Sequence, residues 1–191
     1  MKNDILVYVF DDYADWEPAY VCAELNRQDS PFQIKTIGLD KEPKRSMGGF
    51  RVIPDHDLMD YPKEFKLLII PGGDSWLAGK NTEILPVVDY AVRHHIPIAA
   101  ICAATNVLAE NGYLDHVKHT GNTLEWMKEQ APHYCGEAFY VEEQAVSNGG
   151  IVTANGTATL EFAREIFFLL DVKTPQEIEE WYHFNKVGFY H

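Results

Sequence analysis

The hydrophobic residues fall into short continuous blocks separated by stretches with helical spacing. Asp4 to Phe10 (DILVYVF), Lys66 to Ile70 (KLLII) and Ile98 to Ile101 (IAAI) are almost wholly apolar and rich in β-branched or aromatic side chains. Strands covered on both faces have this composition. Between Asp4 and Leu39 the order is strand, helix over Trp16 to Gln28, and strand over Phe32 to Leu39. That order predicts parallel strands joined by a crossover helix. Lys44 to Pro54 carries Gly48-Gly49 between two short extended pieces and predicts a hairpin. Asp74 and Asn81 are expected to cap a short helix and a longer one, which runs to His95 before Pro97.

In the second half the pattern predicts a helix over Ala103 to Asn111, ended at Gly112. A short strand is expected over Val117 to Thr120. Asn122 to Glu125 (NTLE) has the form of a capping box opening a helix to Gln130. Phe139 to Val141, Ala145 to Ser147 and Ile151 to Ala154 are predicted strands, and Thr159 to Leu170 an amphipathic helix. Thr174, Pro175 and Glu177 mark the start of a last helix to about Asn185. The aromatic tail Val187 to His191 is expected to dock on the domain or on a second subunit. The fold class is therefore α/β, with three layers: an open, mostly parallel sheet with helices on both faces. Residues 1–191 are expected to form one domain, with 172–191 as a C-terminal helix and tail.

Composition narrows the function. With 16 basic and 29 acidic residues the formal net charge is −13. Such a surface repels phosphate backbones and anionic lipid, so neither nucleic acid nor membrane is an expected partner. Three cysteines do not make a disulfide framework, and no signal-peptide layout or long apolar run stands at the N-terminus. A reducing, cytoplasmic location is expected. The pairs His116/His119 and His133/Cys135 are too loose for structural zinc, and no phosphate-binding glycine motif occurs, so neither metal nor cofactor is expected.

In open parallel sheets the ligand site lies at the carboxyl ends of the strands. Three features land there: Asp11 to Glu17, Pro71 to Asp74, and Cys102 to Thr105. Cys102 sits where a buried strand turns into a helix, flanked by Ala100, Ala103 and Ala104, which leave room for a strained turn. The following helix N-terminus favours a thiolate. A buried packing cysteine fits that segment alone equally well. Pro71-Gly72-Gly73 exposes backbone N–H groups that, with the N–H of Ala103, could form an oxyanion hole. Glu17, crowded by Asp11, Asp12 and Asp15, is expected to favour its protonated form and donate a hydrogen bond to the sulfur. As a bland alternative, it simply favours the dipole of the helix it precedes.

These pieces, in this order, resemble the ThiJ/PfpI superfamily, which has a flavodoxin-like, class I glutamine amidotransferase-like fold. The resemblance spans about residues 4–171. It rests on Trp16-Glu17-Pro18, on Leu67 to Gly73, on Ala99 to Ala103, and on Ile151 to Gly156 leading into Leu160 to Ala163. It implies Cys102 as nucleophile, Glu17 as its hydrogen-bonding glutamate, and Gly73 and Ala103 as oxyanion donors. It also implies a homodimer and a small carbonyl or amide substrate. Peptidase-like members carry histidine directly after the cysteine, where this chain has Ala103. Glutaminases use a Gly-x-Cys-x-Gly elbow, where this chain has Ala100 and Ala104. No histidine here is followed two residues later by glutamate, so glutamine hydrolysis is not expected. His119 is the first candidate base, with Thr120 its neighbour in register and His116 the second choice. A surface histidine ending a short strand is the competing reading of His119. The expected activity is a cysteine-dependent hydrolase or amidase, or a glyoxalase-like enzyme. The alternative is a non-enzymatic oxidative-stress sensor or chaperone in which the same cysteine is oxidised.

Overall fold

The computed structural model describes residues 2–188. Seven strands form the main sheet in the order β5-β2-β1-β6-β7-β9-β8. They are β1 (Asn3–Tyr8), β2 (Phe32–Gly38), β5 (His56–Asp57), β6 (Phe65–Ile70), β7 (Ile98–Ile101), β8 (Ala145–Asn148) and β9 (Ile151–Ala154). All neighbours pair in parallel except β8, which runs antiparallel to β9. Strands β3 (Lys44–Arg45) and β4 (Arg51–Val52) make a separate antiparallel hairpin. The structure thus has the expected α/β class, and the hairpin falls where Gly48-Gly49 predicted it.

Alternation along the central strands divides the core between two faces. Ile5 and Val7 of β1, Leu67 and Ile69 of β6, and Ala99 and Ile101 of β7 point to one side. They meet α1 (Ala19–Leu25) and α5 (Thr159–Leu169) through Val21, Leu25, Phe162 and Ile166. Leu6, Tyr8, Leu68, Ile70, Ile98 and Ala100 point to the other side. There they meet α2 (Leu85–Arg93), α3 (Ala103–Glu110) and α4 (Leu124–Gln130) through Val88, Leu108 and Met127. Because both faces are covered, these strands read as unbroken apolar runs. The last helix, α6 (Pro175–Val187), begins with the predicted capping box, in which Thr174 and Glu177 satisfy each other's backbone N–H groups. It packs on α5 through Trp181 against Phe167, with ring centroids 4.8 Å apart. The tail expectation falls mainly on residues 189–191, which lie outside the described residues. Among the described residues no helix is long and apolar enough to cross a membrane.

Several local expectations are corrected. Helix α1 starts only at Ala19, because Pro18 and the turns before it hold Asp15 to Glu17 outside the helix. Glu17 is thus a loop residue, free to turn inward. Asp74 lies inside the 3-10 turn Asp74–Ala78, which is entered from Gly73, and Asn81 stands at the N-cap position of the 3-10 turn Thr82–Ile84 leading into α2 without a side-chain cap, since it is left-handed and its amide donates to Ser75 Oγ at 2.8 Å. Helix α4 is capped by Thr123, whose hydroxyl accepts from the N–H of Trp126, and not by Asn122. The strand over Val117 to Thr120 reduces to one bridge, His119 with Tyr140. Phe139 ends a 3-10 turn instead of opening a strand.

Candidate functional site

The chain leaves β1 and returns on β2 to one side. It then crosses to β6 on the other side of β1, so the order reverses between β1 and β6. The loops after β1, β6 and β7 converge above this switch, which is where open α/β sheets hold ligands. They bring Glu17, Gly72 and Cys102 together.

Cys102 has φ 60° and ψ −130°, a backbone conformation that side-chain-bearing residues rarely adopt. A bond to β9 and the start of α3 hold it: its N–H donates to Ala154 O at 3.0 Å, and its carbonyl accepts from the Thr105 hydroxyl at 2.7 Å. The strain turns the side chain out of the sheet, into a space that two glycines keep open. A Cβ added at Gly72 would stand 2.7 Å from Cys102 Cβ, and one at Gly156 would stand 2.8 Å from the sulfur. No larger residue fits either position without displacing the thiol.

Glu17 is 1% exposed. Its Oε2 accepts the N–H of Gly72 at 2.5 Å, and its carboxyl is hydrogen-bonded to the Cys102 thiol. Burial pushes its pKa up to about 7, only partly opposed by these two hydrogen bonds. The direction agrees with the sequence reading, but the cause does not. Asp11 and Asp15 face the β3–β4 hairpin instead, accepting the N–H groups of Arg45 at 2.8 Å and Gly48 at 2.7 Å. The thiol is also pushed up, by burial first and then by the charge of Glu17. Hydrogen bonds from Asn122 and from the N–H of Ala103 pull the other way. The two groups therefore titrate as a pair. The charge on either group disfavours the charge on the other, and the hydrogen bond between them couples their protons.

Asn122 is the residue that the sequence pattern misassigned. Its Nδ2 donates to Cys102 Sγ at 3.4 Å while its Oδ1 accepts the N–H of Gly156 at 2.8 Å. The Gly156 bond fixes which end of the amide faces the sulfur. Asn122-Thr123 offers two capping side chains in tandem, and a helix uses only one. The spare residue was the available signal. Replacing Asn122 with Ala should slow alkylation of Cys102 by iodoacetamide at pH 7 about fivefold, as loss of a hydrogen bond worth about 1 kcal/mol implies. An unchanged rate would remove Asn122 from the site.

His119 is fully buried. Its Nδ1 is 2.7 Å from Val117 O and its Nε2 is 2.6 Å from the Tyr134 hydroxyl. A carbonyl only accepts, so Nδ1 carries the proton and Nε2 accepts from Tyr134. Burial lowers its pKa, keeping the ring neutral. Both nitrogens are thus occupied away from the sulfur. The surface reading of this residue is corrected, since it is a core histidine. Thr120 is also committed, its hydroxyl donating to Glu143 O at 2.9 Å. His116 is exposed and lies edge-on to Phe139. The structure brings Glu17, Asn122 and the Ala103 N–H to Cys102, and neither candidate base, His119 or His116, nor Thr120. Gly73 follows at the same loop, in a conformation (φ 155°) where an added Cβ would stand 2.4 Å from Asp12 O.

A strained cysteine directly after β7, paired with a buried glutamate from the loop after β1, defines a class of α/β protein that known sequences identify. The DJ-1/PfpI family model matches residues 3–168, and this chain belongs to that family. Its relatives include a Bacillus subtilis (strain 168) protein named "Uncharacterized protease YdeA". That protein is 40% identical over 186 residues, which cover 97% of this chain and 92% of the relative. A Caenorhabditis elegans protein named "Glutathione-independent glyoxalase DJR-1.2" is 30% identical over 146 residues, 73% of this chain and 74% of the relative. Among solved structures, a thiJ/pfpI family protein from Bacillus anthracis superposes with a TM-score of 0.89 at 40% identity, covering 99% of this chain and 92% of that one.

Proposed function

We propose that this chain is a cysteine-nucleophile enzyme acting on small carbonyl electrophiles, of the glyoxalase-like type, with 1–191 working as one unit. The observation that carries this reading is the contact of Cys102 with a buried carboxyl whose pKa is raised to about 7. A group that gains and loses its proton near neutral pH is suited to moving protons during turnover. In this reading the sulfur adds to the aldehyde carbon of a 2-oxoaldehyde, and the thiol proton ends on the aldehyde oxygen by way of Glu17. Backbone N–H groups of Ala103 and Gly73 steady that oxygen while its charge develops. Glu17 then takes the hydrogen of C1 as a proton and returns it to C2. The C1–H electron pair reduces C2, the proton on the C1 oxygen passes to the C2 oxygen to give the alcohol, and C1 is left as a thioester. Water cleaves the C–S bond, releasing a 2-hydroxy acid and restoring the thiol. The redox change is internal, so no outside oxidant enters. Hydrolysis of an amide is less well supported. Expulsion of an amine needs a strong proton donor, and both nitrogens of His119 are engaged elsewhere.

Methylglyoxal is the substrate to test. The wild-type chain should convert it to lactate without added thiol, and Cys102→Ser should show no turnover above the uncatalysed rate. Absence of turnover, with one equivalent of peroxide consumed at Cys102, would assign the chain to the sensor reading instead. The homodimer implied by the family resemblance is retained as a proposal, which light scattering in solution decides.

A further inference from the structure

A cavity of about 370 Å³ lies beside the thiol, between residues 120–125 and 140–144, with Asn155 completing its wall. Ligand pockets begin at roughly 300 Å³, so methylglyoxal fills only a small part of it. Two of its lining residues adjoin the sulfur. Asn122 places Nδ2 3.4 Å from Cys102 Sγ, and Asn155 precedes Gly156, where an added Cβ would stand 2.8 Å from the same atom. The far end of a molecule held at the thiol thus reaches the cavity past the Asn122 amide. The lining sets the chemistry. Glu125, Glu142 and Glu143 are exposed, and among the described residues their carboxylates make no ion pair or hydrogen bond. No basic side chain lines the cavity. Thr123 and Gln144 add donors that the fold leaves uncommitted. The Thr123 hydroxyl oxygen accepts the N–H of Trp126 and Gln144 Oε1 accepts from Asn155, while the Thr123 hydroxyl hydrogen and Gln144 Nε2 have no partner among the described residues.

We propose that this cavity is the tail subsite of the Cys102 site, and that the substrate is a 2-oxoaldehyde with an uncharged, hydroxyl-bearing chain, of the kind a dehydrated sugar provides. The proposal rests on the reading of Cys102 as the group that attacks the carbonyl. The carboxylates of Glu125, Glu142 and Glu143 only accept, whereas the free hydrogens of Thr123 and Gln144 need an acceptor. A hydroxyl donates and accepts, so a chain of hydroxyls meets both sets. A phosphate or carboxylate tail offers the glutamates no hydrogen and is repelled by their charge. An ammonium tail satisfies the carboxylates and leaves the hydrogens of Thr123 and Gln144 without an acceptor. An alkyl tail gains nothing from this lining.

Iodoacetamides with different arms on the amide nitrogen test the tail without requiring turnover, since each brings the same reactive carbon to the sulfur and loses iodide. The probes carry dihydroxypropyl, propyl, carboxyethyl and aminoethyl arms. Rates at Cys102 are read on the full chain by peptide mass, each divided by the rate of the same probe with glutathione. The dihydroxypropyl probe should react about fivefold faster than the propyl probe, and about tenfold faster than the carboxyethyl probe. Combining Glu125→Ala with Glu142→Ala, both at exposed positions where substitution leaves the fold intact, should bring these three rates within about twofold of one another. Equal rates in the wild-type chain, an aminoethyl probe faster than the dihydroxypropyl one, or a preference that survives in the double variant would overturn the proposal. Methylglyoxal turnover is measured in parallel. Its absence alongside the dihydroxypropyl preference removes the catalytic reading and leaves the subsite standing, whereas turnover without that preference removes the subsite alone.

Discussion

Glu17→Gln is expected to stabilise the protein by about 3 kcal/mol at pH 8 while leaving it nearly unchanged at pH 4.5. Glu17 has a pKa of 4.5 when free and about 7 when folded, because burial opposes its charge. Between those values the folded chain binds more protons than the unfolded one. Wild-type stability therefore falls as pH rises from 4.5 to 7, and then levels off. Glutamine mimics the protonated carboxyl. Its oxygen can accept the N–H of Gly72 and its amide can face the sulfur, so the variant escapes the loss. Urea unfolding of both proteins at pH 4.5, 6 and 8 measures the difference. Parallel stability curves would mean that Glu17 is not held protonated by the fold.

The same substitution should make the thiol easier to ionise. In the wild type the thiol is pushed up by burial, and further by the charge of Glu17 and the hydrogen bond to it. Glutamine carries no charge, and its amide can donate to a thiolate, so the midpoint of alkylation against pH should move to lower pH and the rate at neutral pH should rise. An unmoved midpoint would mean that the carboxyl does not oppose ionisation of the sulfur.

The second large effect is expected from Gly72→Ala. The added Cβ would meet Cys102 Cβ at 2.7 Å and the two carboxyl oxygens of Glu17 at 2.9 and 3.0 Å. Cys102 Cβ cannot easily retreat, because the Cys102 backbone is held by its bonds to Ala154 O and the Thr105 hydroxyl, and Gly72 itself is tied down by accepting the N–H of Ala14 at 2.9 Å. Overpacking of this kind costs roughly 1–3 kcal/mol. It should also separate thiol from carboxyl, lowering alkylation and methylglyoxal turnover at least tenfold. Gly150→Ala is the matched control. Gly150 has φ 80° and open space around its Cα, so it carries only the backbone penalty of about 1 kcal/mol and leaves Cys102 untouched. If Gly72→Ala behaves like Gly150→Ala, the close packing at the elbow is not what sets thiol reactivity.

Most of the fold was legible from period and composition. The apolar runs of β1, β6 and β7, the capping box at Thr174, and the hairpin glycines depend on neighbours within a few residues, which a sequence displays directly. Cys102 was legible for the same reason: a buried strand ending in Ile101-Cys102-Ala103, with small residues on both sides, has few other local explanations. Three features were not legible. Asn122 and Thr123 compete for one cap, and the decision rests on Gly156, which lies 34 positions from Asn122. His119 faces Tyr134 and Tyr140, and nothing local to Lys118-His119-Thr120 signals a closed aromatic pocket. The rise in the pKa of Glu17 was expected from its acidic neighbours in the chain, yet in the folded protein Asp11 and Asp15 bond to the hairpin.

The sequence alone determined that this chain forms a parallel α/β sheet with a cysteine at the elbow after a central strand, because hydrophobic periodicity and local sterics act over short distances. Only the tertiary structure decided what surrounds that sulfur. Desolvation of Glu17, the clearance kept by Gly72 and Gly156, and the orientation of the Asn122 amide all arise where loops distant in the chain meet, and their energies depend on distances that no linear spacing encodes.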